Sequence, residues 1–254
     1  IAAMGFDGVD LTVRTGGYVL PERVTETLPE AIETLRSKGL VAPMITTEIT
    51  DAGGKHAVSV FTTASQLGVR FLKLGYWRYE GFGRIEKQIK RTREQLKGLE
   101  ALSREYGVTS TLHIHSGPYL TADAAVLLRL VEGYDPDLLG AYIDPGHMTI
   151  EGGLSGWKIG IDLLRSYIRL VAVKDFGWFK KRGVKNWQFR LIPLSQGMVR
   201  WHEVFACLAE IGYDGPVSLH SEYEYMNLNE LLDQTERDLR YIKRVAKEVA
   251  KRRA

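Results

Sequence analysis

Cysteine is almost absent from this chain. A single one, Cys207, occurs in 254 residues, so no disulfide can close within it. Cys207 lies in "EVFACLAEIG", whose helical spacing reads as core packing. Long apolar runs are missing too: nothing approaches the ~18 residues of a membrane span, so no membrane partner is expected. Charge of one sign is scarce, since 34 Lys and Arg stand against 31 Asp and Glu for a net +3. Only the tail "KRVAKEVAKRRA" is locally basic, which reads as a solvated helix end, and no nucleic-acid partner is expected. No glycine-rich GxGxxG follows any strand-like run, which argues against dinucleotide binding. The opening "IAAMGFDGVDL" offers neither a start methionine nor a signal peptide. A cytoplasmic location is expected, with a removed export segment as the alternative.

What remains is an ordinary globular composition, 44% hydrophobic and 26% charged, with a regular beat. Short β-branched runs stand at "GVDLTV" (8–13), "VAPMITT" (41–47), "RFLKLGY" (70–76), "VTSTLHIH" (108–115), "LGAYID" (139–144), "IRLVAVKD" (168–175) and "GPVSLHSE" (215–222). Between them run amphipathic stripes. Val24, Leu28, Ile32 and Leu35 end at Gly39, a C-cap candidate; Ile85, Ile89, Leu96, Leu99 and Leu102 end before Gly107. Val204, Leu208 and Ile211 end at Gly212, and Leu231, Thr235, Leu239, Ile242 and Val249 form the last stripe. Strict alternation calls for a parallel sheet, either doubly wound or a (β/α)8 barrel. The barrel is the expectation: one α/β domain over residues 1–254, with its first strand missing or upstream of Ile1.

In such a barrel the site lies at the C-terminal strand ends, and there the charges collect: Asp10 and Arg14, Glu48, Lys73, His113 and His115, Asp144 and His147, Lys174, then His220 and Glu222. In "TLHIHSG", His113 and His115 stand two apart and so share a strand face. In "YIDPGHMTIEGG", Pro145-Gly146 turns His147 back towards Asp144, an arrangement suited to a divalent metal or an acid/base pair. His115, Asp144 and Glu222, with His113 or His220 as a fourth donor, form a candidate site for Mn²⁺, Zn²⁺ or Mg²⁺; a metal-free hydrogen-bond network is the alternative. Lys174 in "VAVKDF" is placed to hold a substrate oxygen or to pair with Asp144. Trp77, Trp178, Trp187 and Trp201 offer flat walls for a sugar ring, and "PLSQGMV" (193–199) a loop able to close over the site.

"GFDGVDL", "HIHSG", "YIDPGHMTIEGG", "VAVKDFGW", "PLSQGMV" and "GYDGPVSLHSEY" follow one another in an order that resembles the sugar phosphate isomerase/epimerase family, within the xylose-isomerase-like barrels. The resemblance implies a divalent metal held by a Glu, an Asp, a His and a Glu on four successive strands, and a proton shuttled through an enediolate. Asp144 matches the Asp, Glu222 the last Glu, and His147 the substrate-contacting His. Two positions depart: His113 stands where the first Glu is expected, and Ala172 where the strand His is expected. Ser195-Gln196 also replaces a common Gly-Glu pair. The expected function is an isomerase or epimerase on a carbohydrate or keto-sugar. Its candidate catalytic groups are Glu222, Lys174, His147 and Glu48, and its candidate substrate-binding groups are His113, His147, Lys174, Trp77, Trp178 and Arg14. The metal set is His115, Asp144, Glu222 and His113. A keto-sugar or inosose lyase/dehydratase, or a non-catalytic sugar-binding barrel, are the alternatives, and a homo-oligomer is allowed.

Overall fold

The computed structural model of the chain describes residues 1–253. Seven strands form one sheet: β1 (Gly8–Val13), β2 (Val41–Thr47), β3 (Phe71–Lys73), β4 (Thr109–His113), β5 (Leu139–Ile143), β6 (Ile168–Val173) and, after a hairpin of β7 (Asp175–Phe179) and β8 (Gln188–Ile192), β9 (Val217–Leu219). The sheet order is β1-β2-β3-β4-β5-β6-β9, and each ladder is parallel. Helices α1 (Val24–Arg36), α2 (Ala57–Gln66), α3 (Ile85–Tyr106), α4 (Ala124–Val131), α5 (Pro145–Leu164), α6 (Trp201–Glu210) and α7 (Leu228–Arg253) complete a nearly closed barrel. β1 and β9 are the two edges of the sheet. The chain ahead of β1 forms a 3-10 turn at Ala2–Met4, and Lys243 of α7 donates to the Gly5 carbonyl at 2.6 Å across that side. Among the described residues no helix is long and apolar enough to cross a membrane.

Strand parity divides the core. Ile45, Leu72, Ala141, Ile143, Val171 and Val173 point outwards and pack under the helices. Their alternates Met44, Phe71, Tyr142, Leu170 and Ala172 form a separate cluster that plugs the barrel's interior. The stripes read from sequence face this shell: Val24, Leu28 and Ile32 of α1 and Ile89, Leu96 and Leu99 of α3 are buried. α3 ends where expected, with Gly107 left-handed at φ 66°. α1 ends earlier than the Gly39 signal suggests: its last residue is Arg36, and Gly39 (φ 72°) closes the turn that follows.

The runs 70–76 and 215–222 shorten to the three-residue strands β3 and β9, and a third run changes course. The run 168–175 breaks at Lys174, because Asp175 turns inwards and accepts from the backbone N–H of Phe176 (2.8 Å) and Met198 (2.8 Å) and from Trp201 Nε1 (2.9 Å). The chain then leaves the sheet as the antiparallel β7–β8 hairpin. Gly197 lies so close that a Cβ there would stand 1.8 Å from Asp175 Cγ, so no larger residue fits without moving the pair.

Candidate active site

The polar strand ends, with Arg14, Glu48, Tyr76, His113, Lys174 and Glu222, line one end of a cavity of about 1590 Å³ that continues past Phe6, Arg169 and Pro216 at the other end of the strands. Its centre is built on β4, β5 and β6. Asp144 follows β5 and caps α5, its Oδ1 accepting the His147 N–H at 3.1 Å, with Pro145 in the first turn. Gly146 makes this turn possible: a Cβ there would lie 2.5 Å from the Lys174 carbonyl oxygen. The turn therefore packs directly on the end of β6 and brings Asp144 to Lys174.

Lys174 Nζ donates to Glu222 Oε2 at 3.2 Å and stands 3.5 Å from Asp144 Oδ2. The Lys174 side chain is 3% exposed and that of Asp144 0%, whereas Glu222 is 56% exposed at the mouth. His113 Nε2 lies 3.3 Å and His147 Nε2 3.7 Å from the same Asp144 oxygen. None of the three atoms, His113 Nε2, His147 Nε2 or Asp144 Oδ2, has a hydrogen-bond partner. Buried polar atoms left in this way are costly, and they mark the place where a polar ligand settles.

The histidines are held neutral. Burial pushes His113 well below its ordinary value, against the pull of Asp144. Burial likewise takes His147 down to about 3 and His220 to about 4. Asp144 is also shifted down, which for a carboxylate favours the charged form: burial resists that charge, but His147 and Lys174 hold it well below the carboxylate range. Because His147 is uncharged down to about pH 3, the standing cation beside Asp144 at neutral pH is Lys174. Glu222 is also held low, burial being outweighed by Lys174 and His220.

Hydrogen bonds fix the rings. His113 Nδ1 meets the Tyr76 hydroxyl at 2.7 Å, and burial keeps that phenol protonated. His113 Nε2 faces the Asp144 carboxylate at 3.3 Å, which only accepts, so the neutral ring carries its proton on Nε2 and Nδ1 accepts from the phenol. His115 Nδ1 donates to the Ser116 carbonyl at 2.8 Å, leaving its Nε2 lone pair free, and its ring packs 3.9 Å from that of His147. Ser116 Oγ sits 2.7 Å from His147 Nδ1.

This geometry does not fit a divalent ion on the expected donors. Asp144 and Glu222 meet across an ammonium, His113 directs a proton at Asp144, and Ala172 lies in the apolar plug with no donor to give. Among the described residues no group of three or more His, Cys, Asp or Glu converges on a common ion position.

The structure gathers His113, His115, Asp144, His147, Lys174 and Glu222 as expected, with Arg14 and Glu48 across the mouth. Glu48 is tied back by Thr15, whose N–H and Oγ donate to it at 3.1 and 2.6 Å, and these bonds lower its pKa. The tryptophans are elsewhere. Trp77 is 7% exposed in the core, its indole N–H on Gln95, and Trp201 is spent on Asp175. Trp178 and Trp187 ride on or beside the β7–β8 hairpin and do not line the cavity. The aromatic wall is made instead by Tyr76 and by Tyr142, whose ring stacks on His113 at 4.4 Å and whose hydroxyl meets His220 Nε2 at 3.0 Å. The "PLSQGMV" segment is no free lid: Asp238 accepts from Leu194 N at 3.1 Å, Asp175 holds Met198 and Val199, and neither Ser195 nor Gln196 lines the cavity. Tyr142 stands two before Asp144, so strand parity alone would have found it. Tyr76 lies beyond the end of β3, where that rule gives no signal.

Fold and rim together define a parallel α/β barrel with a charged site at the C-terminal ends of its strands. The chain belongs to the xylose isomerase-like TIM barrel family, whose model matches residues 1–245. Among solved structures it resembles an L-ribulose 3-epimerase at 19% identity and a TM-score of 0.73, covering 98% of this chain and 87% of that one. It also resembles a xylose isomerase-like TIM barrel protein from Mycobacterium smegmatis in complex with magnesium (16%, 0.71, 97% and 86%). A third is the 3-keto-D-glucoside 4-epimerase from E. coli (13%, 0.70, 96% and 91%). At such identities the likeness establishes the fold. No curated protein matches the chain.

Proposed function

We propose that the chain is an isomerase or epimerase of a carbohydrate or keto-sugar, moving a proton on the carbon beside a carbonyl through an enediolate. The observation that carries this reading is Lys174, lodged between Asp144 and Glu222 beside three buried polar atoms without partners. Enolisation needs a base about 3 Å from the carbon and an electrophile on the carbonyl oxygen. Lys174 supplies the electrophile and Asp144 fixes it in place. Glu222, ionised and facing the mouth, takes the proton, with Glu48 as the second carboxylate. His113 holds a neighbouring hydroxyl, with His147 buried behind it, while Tyr76 and Tyr142 border the ring; Arg14 lies at the entrance. The sugar-epimerase structures that share the fold support this choice of substrate class. A metal-stabilised enediolate, which the magnesium complex of the xylose isomerase-like protein from Mycobacterium smegmatis would suggest, does not suit the donor set described above.

Incubation with a panel of ketoses and keto-glycosides in D2O, followed by proton NMR, tests the reading. The expected result is deuterium at the carbon next to the carbonyl, slowed by roughly 10²–10⁴-fold in Glu222→Gln. Loss of hydroxide with a new enone chromophore would move the reaction to the dehydratases. Saturable sugar binding without any exchange would make the barrel a binding protein.

A further inference from the structure

We infer that Lys174 is the site's resident cation and stands in for the divalent ion that this strand arrangement otherwise invites, so that the site binds substrate without a metal. The inference rests on the enolising reading for its catalytic meaning, but on geometry alone for its chemistry. Three independent features point the same way. The ammonium occupies the space between the two carboxylates, 3.2 Å from Glu222 and 3.5 Å from Asp144. A divalent ion bound to both oxygens would have to sit beside that ammonium, adding two positive charges next to one that is already buried. Secondly, the donor that a metal needs from β6 is absent: Ala172 is fully buried, clusters with Tyr142 and Leu170 in the barrel interior, and carries no donor atom. Two residues further along the same strand direction comes Lys174, so β6 offers a cation where a ligand is needed.

The third feature is the hydrogen-bond direction of His113. The Asp144 carboxylate 3.3 Å from Nε2 keeps the ring proton on that nitrogen, leaving Nδ1 to accept from Tyr76, so Nε2 has no lone pair to give. Asp144 Oδ2 thus has an N–H at 3.3 Å and an ammonium at 3.5 Å around it, the electrostatic surroundings of a structural carboxylate rather than of a metal ligand. Asp144 Oδ2 and His147 Nε2 stay unpartnered and buried behind the cavity wall, which His113, Lys174 and Glu222 line, so those three are the groups that meet substrate hydroxyls. Lys174 then does with one hydrogen-bonding charge what a metal does by coordination: it neutralises the carboxylate pair at rest and leaves N–H donors for a developing oxyanion.

Titration of the full-length, EDTA-stripped chain with Mn²⁺, followed by the EPR signal of the free ion, tests the inference. The wild type should show no saturable Mn²⁺ site at the carboxylate pair, and Asp144→Asn should leave its titration unchanged. Lys174→Ala, which opens the space between Asp144 and Glu222, should bind Mn²⁺ roughly tenfold tighter or more than the wild type. One Mn²⁺ per wild-type chain, lost in Asp144→Asn, would overturn the inference whatever becomes of the variant's folding. So would equal Mn²⁺ affinity in the wild type and a folded Lys174→Ala. Because this readout uses no sugar, absence of deuterium exchange alongside absence of Mn²⁺ binding would discard the enzymatic reading and leave the resident cation standing.

Discussion

Two lysines are buried in the wall of this barrel, and they live in opposite circumstances. Lys174, at the end of β6, meets two carboxylates. Lys73, at the end of β3, makes no ion pair among the described residues; its ammonium rests 3.5 Å above the ring of Tyr76. Burial takes the Lys73 pKa down to about 7, only partly opposed by Asp10, and the same burial raises Asp10 to about 6. Nearly equal depth in the barrel thus leaves the two ammonium groups with very different partners. The difference lies in where the carboxylates stand: the Asp144 turn follows β5, which adjoins β6, and reaches Lys174, whereas Asp10 is on β1, two strands from β3, and takes its hydrogen bond from Thr46 at 2.9 Å without an ion pair to Lys73.

The largest break in this comparison should come from removing each ammonium in turn. Lys174→Met leaves Asp144 buried without its cation and should cost about 3–5 kcal/mol. Lys73→Met leaves no ion pair broken and should cost less than about 1 kcal/mol, or stabilise; urea unfolding of both variants at pH 7 measures the contrast. Next comes pH. The unfolded chain keeps the Lys73 proton up to about 10.5, whereas the folded chain gives it up near 7, so wild-type stability rises with pH across that window. The slope is up to about 1.4 kcal/mol per pH unit, and unfolding at pH 7 and 9 should show the gain in the wild type but not in Lys73→Met.

A smaller effect, about 1–3 kcal/mol, is expected of Gly197→Ala, whose methyl collides with Asp175. Since Asp175 follows Lys174 directly, backbone NMR shifts should spread along the end of β6 and spare β3. The smallest is Tyr76→Phe. It keeps the ring beneath Lys73 but removes the hydroxyl from His113 Nδ1, for about 1 kcal/mol. Carbon-13 lysine NMR should find the Lys73 titration near 7 unmoved, and a large displacement would mean that the hydroxyl rather than the ring governs it.

Much of this was legible in the sequence, for a reason that particular residues illustrate. Strand and helix periods are local, so "GVDLTV" and "VAPMITT" become β1 and β2 over the residues read. Charged residues at the ends of β-branched runs are visible in the sequence itself, so Asp144, Lys174, His113 and Glu222 stand out there as rim residues, and the structure brings them within 3.2–3.5 Å of one another through Lys174 and Asp144. What failed depended on partners far along the chain. Trp77 reads like a sugar platform until Gln95 takes its indole N–H, and 168–175 reads as one strand until the N–H groups near position 198 claim Asp175. The proton direction on His113 is set by Tyr76, 37 residues away. Periodicity carries no trace of such contacts.

Gly146 has a use outside the folded molecule. With no side chain of its own it acts as a shim of fixed thickness between the Asp144 turn and the Lys174 carbonyl, and any thicker residue would part the acid from the ammonium. That makes the pair searchable as text. An Asp-Pro-Gly-His quartet followed 30 residues after its Asp by the Lys of an Ala-Val-Lys-Asp quartet, as here at 144 and 174, is a short pattern by which other barrels with a built-in cation can be picked from unaligned sequences.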